Sequence, residues 1–345
     1  MEHIRGRLLG ALQGAIGAFD RTIGWHRAGI ALSIVIVVVA ATILYRILQG
    51  VEFGKVTAAL CQTDAGDIAF AALCVAGAYL TLTCYDLFAL RTIRRPDVPY
   101  RIAALASFTS FSIGHNLGGA VVTAGAIRYR IYSAWNLSLI DVAKICFVTG
   151  LTFWLGNAFV LGIALALEPA AASAVDRLPA SANRAIAFIL LAAIGCYVAW
   201  VWRRPRRIGM NNWQVTLPGG PITLVQIAIG VFDLTFCALA MYVLLPDQPA
   251  VGLIAVIVIF IFATLLGFAS YAPSGLGIFD AAMIVALQQF PKEEMLASLL
   301  LFRLIYYIIP FVLALIAIGI REVTLNLASH RANAPARRTG PDPSR

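Results

Sequence analysis

Two short glycine-rich interruptions sit inside otherwise apolar stretches of the chain. One runs from Ser110 to Gly119 (S-F-S-I-G-H-N-L-G-G) and the other from Ser270 to Gly277 (S-Y-A-P-S-G-L-G). Each has a hydrophobic arm on both sides. Backbone in hydrocarbon finds no water to bond with, so a broken helix at that depth persists only where protein or a water-filled cavity covers it. Two such breaks, far apart in sequence, are the pattern of a transporter built on discontinuous helices.

The membrane environment follows from composition. The chain is 61% hydrophobic and 12% charged, against about 25% charged in soluble domains. Several stretches of roughly 20 apolar residues each match a hydrocarbon core about 30 Å thick. Nearly all of 28–320 belongs to a span or a short connection, which leaves no room for a soluble catalytic domain. The net charge of +9 gathers at span ends: Arg91, Arg94, Arg95 and Arg101, then Arg203, Arg204, Arg206 and Arg207, then Arg321 and the tail. That is positive-inside bias plus attraction to anionic membrane lipids, not a nucleic-acid surface. Six cysteines carry no CxxC spacing and read as free thiols rather than a metal or disulfide framework. The first apolar run is long enough to span and lacks a clear small-residue cleavage site, so no signal peptide is expected.

These patterns predict an all-α polytopic membrane protein with six full spans and two re-entrant helical hairpins. Residues 1–27 place Ile4, Leu8, Leu12, Ile16, Phe19 and Ile23 at helical spacing among arginines, an amphipathic cytoplasmic segment. Residues 28–320 form the transmembrane domain, with spans near 28–48, 67–90, 139–167, 184–202, 221–245 and 295–320. Residues 51–66 read as a short interfacial segment, 168–183 as an acidic external loop, and 203–220 as a polar internal loop. The segment 102–127 breaks near Gly114–Gly119 between basic flanks. Its arms, about 12 and 11 residues, are too short to cross, so it enters from the inside. The segment 250–290 enters from the outside. That opposition fits an inverted-topology repeat, although no residue-level repeat links the halves. Residues 321–345 are expected to be a disordered basic tail, with both termini cytoplasmic in a bacterial inner membrane.

An ionisable residue inside a span is costly and therefore a functional candidate. The candidates for substrate binding are Asp86, His115, Asn116, Arg128, Asp233, Gly275, Gly277, Asp280 and Arg303. Each also has a plain structural role open to it. Asp86 can cap or sit at the interface. Asp141 and Lys144 can pair on one helical face. Arg303 can neutralise Asp280 or Asp233. Asp280 can cap the helix that follows the second break. A helix N-terminus at membrane depth suits a phosphate, and Arg128, Arg130 and Arg303 add charge-assisted contacts. The aspartates suit a cationic headgroup, so both signs together fit a zwitterionic or cationic lipid. There is no Gly-x-Ser-x-Gly, Walker A or His/Cys metal spacing. Hence no catalytic residues, metal or cofactor are expected.

At these residues the chain resembles a known family. Y-D-L-F-A-L-R (85–91), S-F-T-S-F-S-I-G-H-N-L-G-G (107–119), T-A-G-A-I-R-Y-R-I-Y-S-A-W (123–135), P-S-G-L-G-I-F-D (273–280) and R-L-I-Y-Y-I-I-P-F (303–311) look like the N-terminal flippase region of the bacterial lysylphosphatidylglycerol synthase/flippase, the multiple peptide resistance factor. They also resemble its stand-alone relatives. The resemblance implies that Asp86, Arg128 and Asp280 match charged motif positions, and that the membrane part moves an aminoacylated phospholipid to the outer leaflet. The soluble synthase of two-domain members is not expected here, so lysyl transfer is not expected either. The expected partners are a phospholipid substrate, anionic membrane lipids, a separate lipid synthase and a second copy of the chain. The alternative is a non-transporting membrane subunit that anchors or regulates a lipid-modifying synthase.

Overall fold

A computed structural model describes residues 53–332, except 118–119, 203–205, 211–212 and 271–272. The amphipathic segment 1–27, the span expected at 28–48 and residues 333–345 lie outside the described residues.

The described chain is an all-α membrane architecture. Five helical stretches are long and apolar enough to cross a bilayer: 65–92, 139–167, 180–202, 220–243 and 292–324. They correspond to the second through sixth expected spans. In chain order the helices are α1 (Phe53–Gln62), α2 (Ala65–Thr92), α3 (Tyr100–Leu117), α4 (Ala120–Tyr132), α5 (Leu139–Leu167), α6 (Pro169–Asp176) and α7 (Ala180–Trp202). They continue as α8 (Gly220–Val243), α9 (Leu253–Ala269), α10 (Ile278–Ala286), α11 (Lys292–Arg303) and α12 (Ile309–Ala332).

Local chemistry sets the boundaries. The Asp64 carboxylate accepts from Gly66 N at 2.7 Å and starts α2. Ser138 and Asp141 form a reciprocal capping box at α5, with Asp141 Oδ2 accepting from Ser138 N at 3.0 Å. Asp141 therefore caps its helix instead of pairing with Lys144. In the loop after α2, Arg95 grips Asp97 at 2.9 Å and donates to the Trp135 carbonyl at 2.7 Å. That guanidinium holds the exposed Asp97 carboxyl below its ordinary range.

The two expected loops carry structure that composition did not suggest. The segment after α5 contains α6, opened by Pro169 at its first turn. Asn183 anchors it by donating to the Pro169 carbonyl at 3.2 Å. The loop after α7 holds an antiparallel hairpin, β1 (Arg207–Met210) and β2 (Trp213–Thr216), with Ile208 opposite Val215. Val215 is buried and drops from β2 into the cluster formed by Leu90, Val98, Tyr132 and Ile145.

Helix α8 packs along α2 and α5 near the centre of the bundle. At its crossing with α5, Gly156 and Gly230 let the backbones touch: a Cβ on Gly156 would lie 2.5 Å from the Gly230 Cα. The main core collects Tyr85, Leu165, Met241, Phe260, Phe279 and Phe302 from α2, α5, α8, α9, α10 and α11. Helix α7 presents Phe188, Ile189, Trp200 and Trp202 outward, as a lipid-facing helix should. An apolar groove of about 1240 Å³, lined by Phe159, Ile194, Trp202 and Val231 among others, runs between α5, α7 and α8.

The last span is not a uniform helix. Over Leu304–Ile308 it widens to a π-helical turn. Pro310 explains the distortion, because it lacks an N–H and its ring crowds the carbonyl four residues earlier. That carbonyl belongs to Tyr306, and it accepts from the Tyr79 hydroxyl at 3.1 Å instead.

Two expectations need correction. The first arm of the break is longer than expected: α3 has 18 residues and α4 has 13. At about 1.5 Å per residue α3 reaches about 27 Å, so its length alone does not exclude a crossing. Gly114, His115 and Asn116 are helical, and Asn116 Nδ2 donates back to the Ser112 carbonyl at 2.7 Å. The expectation for the tail also fails over residues 321–332. Helix α12 runs on to Ala332, where 321–345 was expected to be disordered. Arg130 pairs with Glu322 at 2.8 Å and Arg321 with Glu322 at 3.1 Å, which ties this extension to α4.

Candidate functional site

The second break is built from residues that only a turn tolerates. Ser274, Gly275 and Gly277 have φ of 53°, 59° and 81°. Gly275 also sits against Gly267 of α9, where an added Cβ would meet the Gly267 Cα at 3.2 Å. Position 275 thus needs glycine for both its backbone angle and its neighbour. Asp280 lies one turn into α10, and its Oδ2 accepts from Gly277 N at 3.0 Å. The expected capping role is real.

Asp280 does more than cap. Arg303 Nη2 and Nε donate to its two carboxylate oxygens at 2.6 and 2.9 Å. The pair is nearly enclosed, with side-chain exposures of 11% and 12%. Arg303 also lies 5.7 Å from the centre of the Tyr307 ring. Of the two partners open to Arg303 from sequence, the fold selects Asp280.

The two breaks meet. Ser274 Oγ lies 3.1 Å from Asn116 Oδ1 and 3.3 Å from the His115 carbonyl, two acceptors that share its single hydroxyl proton. Asn116 Nδ2 reaches the Tyr307 carbonyl at 3.2 Å, in the π turn next to Arg303. Residues 158 positions apart thereby join the end of α3, the turn before α10 and the distorted last span. The His115 ring packs edge-on against Phe111 and Phe268.

Asp86 and Arg128 form a second pair on α2 and α4. Arg128 Nη2 donates to Asp86 Oδ1 at 2.7 Å and Nε to Oδ2 at 3.0 Å. Tyr132 Oη donates to Oδ2 at 2.8 Å. Here the exposures are 0% for Asp86 and 3% for Arg128, so this pair is sealed where the other is slightly open. Asp86 is therefore no interfacial cap. Arg130, two residues on and so on the opposite face of α4, points outward to Glu322.

Asp233 does not join either pair. It is buried on α8 and accepts from the Tyr85 hydroxyl at 3.0 Å. Phe111 links the groups: its ring lies 4.9 Å from the Arg128 guanidinium and 5.9 Å from the Tyr85 ring. Sequence reasoning missed Tyr85, Tyr132, Ser274 and Tyr307. The signal was present for two of them, since Tyr132 and Tyr307 each follow an arginine by four residues and so share its helical face. Among the described residues, no cluster of His, Cys, Asp or Glu could hold a metal ion.

Fold and site together define a polytopic helical membrane protein whose broken helices meet between two buried arginine–aspartate pairs. No known family profile matches the chain. It is 29% identical over 246 residues to an uncharacterized protein of Synechocystis sp., covering 71% of this chain and 76% of the relative. It is 27% identical over 247 residues to the inner membrane protein YbhN of Escherichia coli, covering 69% and 74%. It is 26% identical over 294 residues to a phosphatidylglycerol lysyltransferase of Staphylococcus haemolyticus, covering 82% of this chain. That match spans 33% of the lysyltransferase and falls on its N-terminal part. The chain carries a membrane domain similar to the N-terminal part of those lysyltransferases.

Proposed function

We propose that the chain is an inner-membrane phospholipid flippase, with both termini cytoplasmic, for aminoacylated or related lipids. The observation that carries this reading is the junction of the two breaks at Ser274, His115 and Asn116, beside the slightly open Asp280–Arg303 pair. A headgroup of mixed charge can exchange partners there: its phosphate takes Arg303 while its ammonium takes Asp280. The sealed Asp86–Arg128 pair holds α2 and α4 in place around the junction. Acyl tails remain in apolar surroundings, for which grooves such as the one between α5, α7 and α8 are suited. The lysyltransferase activity of the relatives supports a lipid context and also a second reading, a membrane subunit that serves a separate synthase.

Reconstitution into vesicles with a labelled aminoacylated phospholipid separates the two. The flippase reading expects protein-dependent movement between leaflets. Asp280→Asn keeps an acceptor for Gly277 N, and Asn and Asp are near-equal caps. Arg303→Gln removes the phosphate partner. Each is expected to slow lipid movement by about tenfold or more, the size of one lost charge-assisted contact of about 1.5–3 kcal/mol. Full rates in both variants would remove the site. No movement by the parent protein would favour the subunit reading.

A further inference from the structure

Among the described residues three aspartates are buried within the bundle, and their surroundings differ in kind. Asp86 has Arg128 and Asp280 has Arg303. Asp233 has no basic partner among the described residues. Its hydrogen-bonding neighbours are the Tyr85 hydroxyl at 3.0 Å and the Cys237 sulfur at 4.0 Å. The titratable groups that face it are Tyr79 and Tyr85 from α2, Tyr306 from the π turn, and Cys237 from its own helix. No lysine or arginine of α5, α7, α9 or α11 pairs with it; Arg303 of α11 is held by Asp280. An ionised carboxylate without a cation in such a place costs several kcal/mol, and binding a proton removes the cost. Packing alone does not call for an acid here, since asparagine would fill the same volume.

We propose that Asp233 is a proton-binding site, and that its loading and unloading couples a transmembrane proton gradient to lipid movement. The coupling rests on the flippase reading above; the proton site does not. The step is a single equilibrium. A proton adds to one carboxylate oxygen, no other bond changes, and Tyr85 donates to the charged form. The route to the headgroup site is short. The Phe111 ring packs against both the Tyr85 ring and the His115 ring, and the His115 carbonyl accepts from Ser274 at the junction. Removing the charge at Asp233 weakens the Tyr85 contact and so changes what Phe111 packs against.

Two measurements test it on the full chain in lipid. Infrared difference spectra between mildly acidic and mildly alkaline buffer are expected to show a protonated-carboxyl band in the parent protein. The band is expected to vanish in Asp233→Asn and to persist in Asp86→Asn and Asp280→Asn. Tyr85→Phe keeps the ring and removes the donor, so the band is expected to titrate about one pH unit higher or more. It serves if Asp233→Asn fails to fold. A band absent from the parent, or unmoved by both variants, overturns the proton site. In vesicles, a pH step of one unit is expected to shift the steady-state leaflet ratio of the labelled lipid about tenfold at one proton per lipid, and not at all in Asp233→Asn. A gradient effect that survives Asp233→Asn overturns the coupling. An Asp233 band in a parent protein that moves no lipid under any gradient keeps the proton site and overturns both the flippase reading and the coupling.

Discussion

Replacing Asp86 with alanine is expected to cost about 3–5 kcal/mol of stability, because it leaves Arg128 charged, buried and unpaired. Arg128 has 3% of its side chain exposed and no route to water comparable to that of Arg130, which is 71% exposed. Tyr132 loses its acceptor in the same change. The natural comparison is Asp86→Leu with Arg128→Met, which removes both charges at similar volume. That double variant is expected to recover most of the loss, since an apolar replacement of a buried pair is often neutral or stabilising. Thermal unfolding of the purified protein in detergent reads both. Equal instability in the single and double variants would mean that the loss does not come from an unpaired Arg128 charge.

The second large effect is expected at the crossing of α5 and α8. A Cβ on Gly156 would lie 2.5 Å from the Gly230 Cα and 2.6 Å from its carbonyl carbon. The obstacle is backbone, so no side-chain rotation relieves it. Gly156→Ala must push the two helices apart, which strains the Gln226–Thr152 hydrogen bond of 2.9 Å that bridges them. The expected cost is about 1–3 kcal/mol, the range of overpacked cores. Gly150 lies on the same helix with nothing within 4 Å of a built Cβ. Gly150→Ala is expected to be neutral or to stabilise by up to about 1 kcal/mol. Similar behaviour of the two variants would contradict the close approach.

The long apolar helices were legible because twenty residues without charge between basic ends admit few other folds. The second break was legible for a related reason: Pro273 cannot extend a helix, and Gly275 and Gly277 supply the positive φ that a turn needs. The first break falls at the late end of its expected range, since α3 ends at Leu117 and α4 begins at Ala120. Gly114 costs a helix only about 1 kcal/mol relative to alanine, and Asn116 satisfies itself on the Ser112 carbonyl, so α3 passes through both. Charge pairing was half legible. Arg303 had two candidate partners, Asp280 and Asp233, and only the fold selects Asp280. Nothing local links Asp86 to Arg128, 42 residues apart; only the packing of α2 on α3 and α4 brings them together. The hairpin at β1 and β2 and the short helix α6 were read as loops because their segments are polar or rich in Pro and Ala. Val215 and Asn183, which fasten them to the bundle, give no sign of that role in their immediate neighbours.

The central claim is that lipid moves through the junction where the two breaks meet. Asn116 and Ser274 touch across it, at 3.1 Å between side-chain oxygens. Both are changed to cysteine in a protein whose six native cysteines have been replaced, and the protein is reconstituted with labelled aminoacylated phospholipid. The account predicts that oxidation cross-links the pair and stops lipid movement, and that reductant restores it. A fully cross-linked protein that still moves lipid at the reduced rate, or a pair that never cross-links, would contradict it.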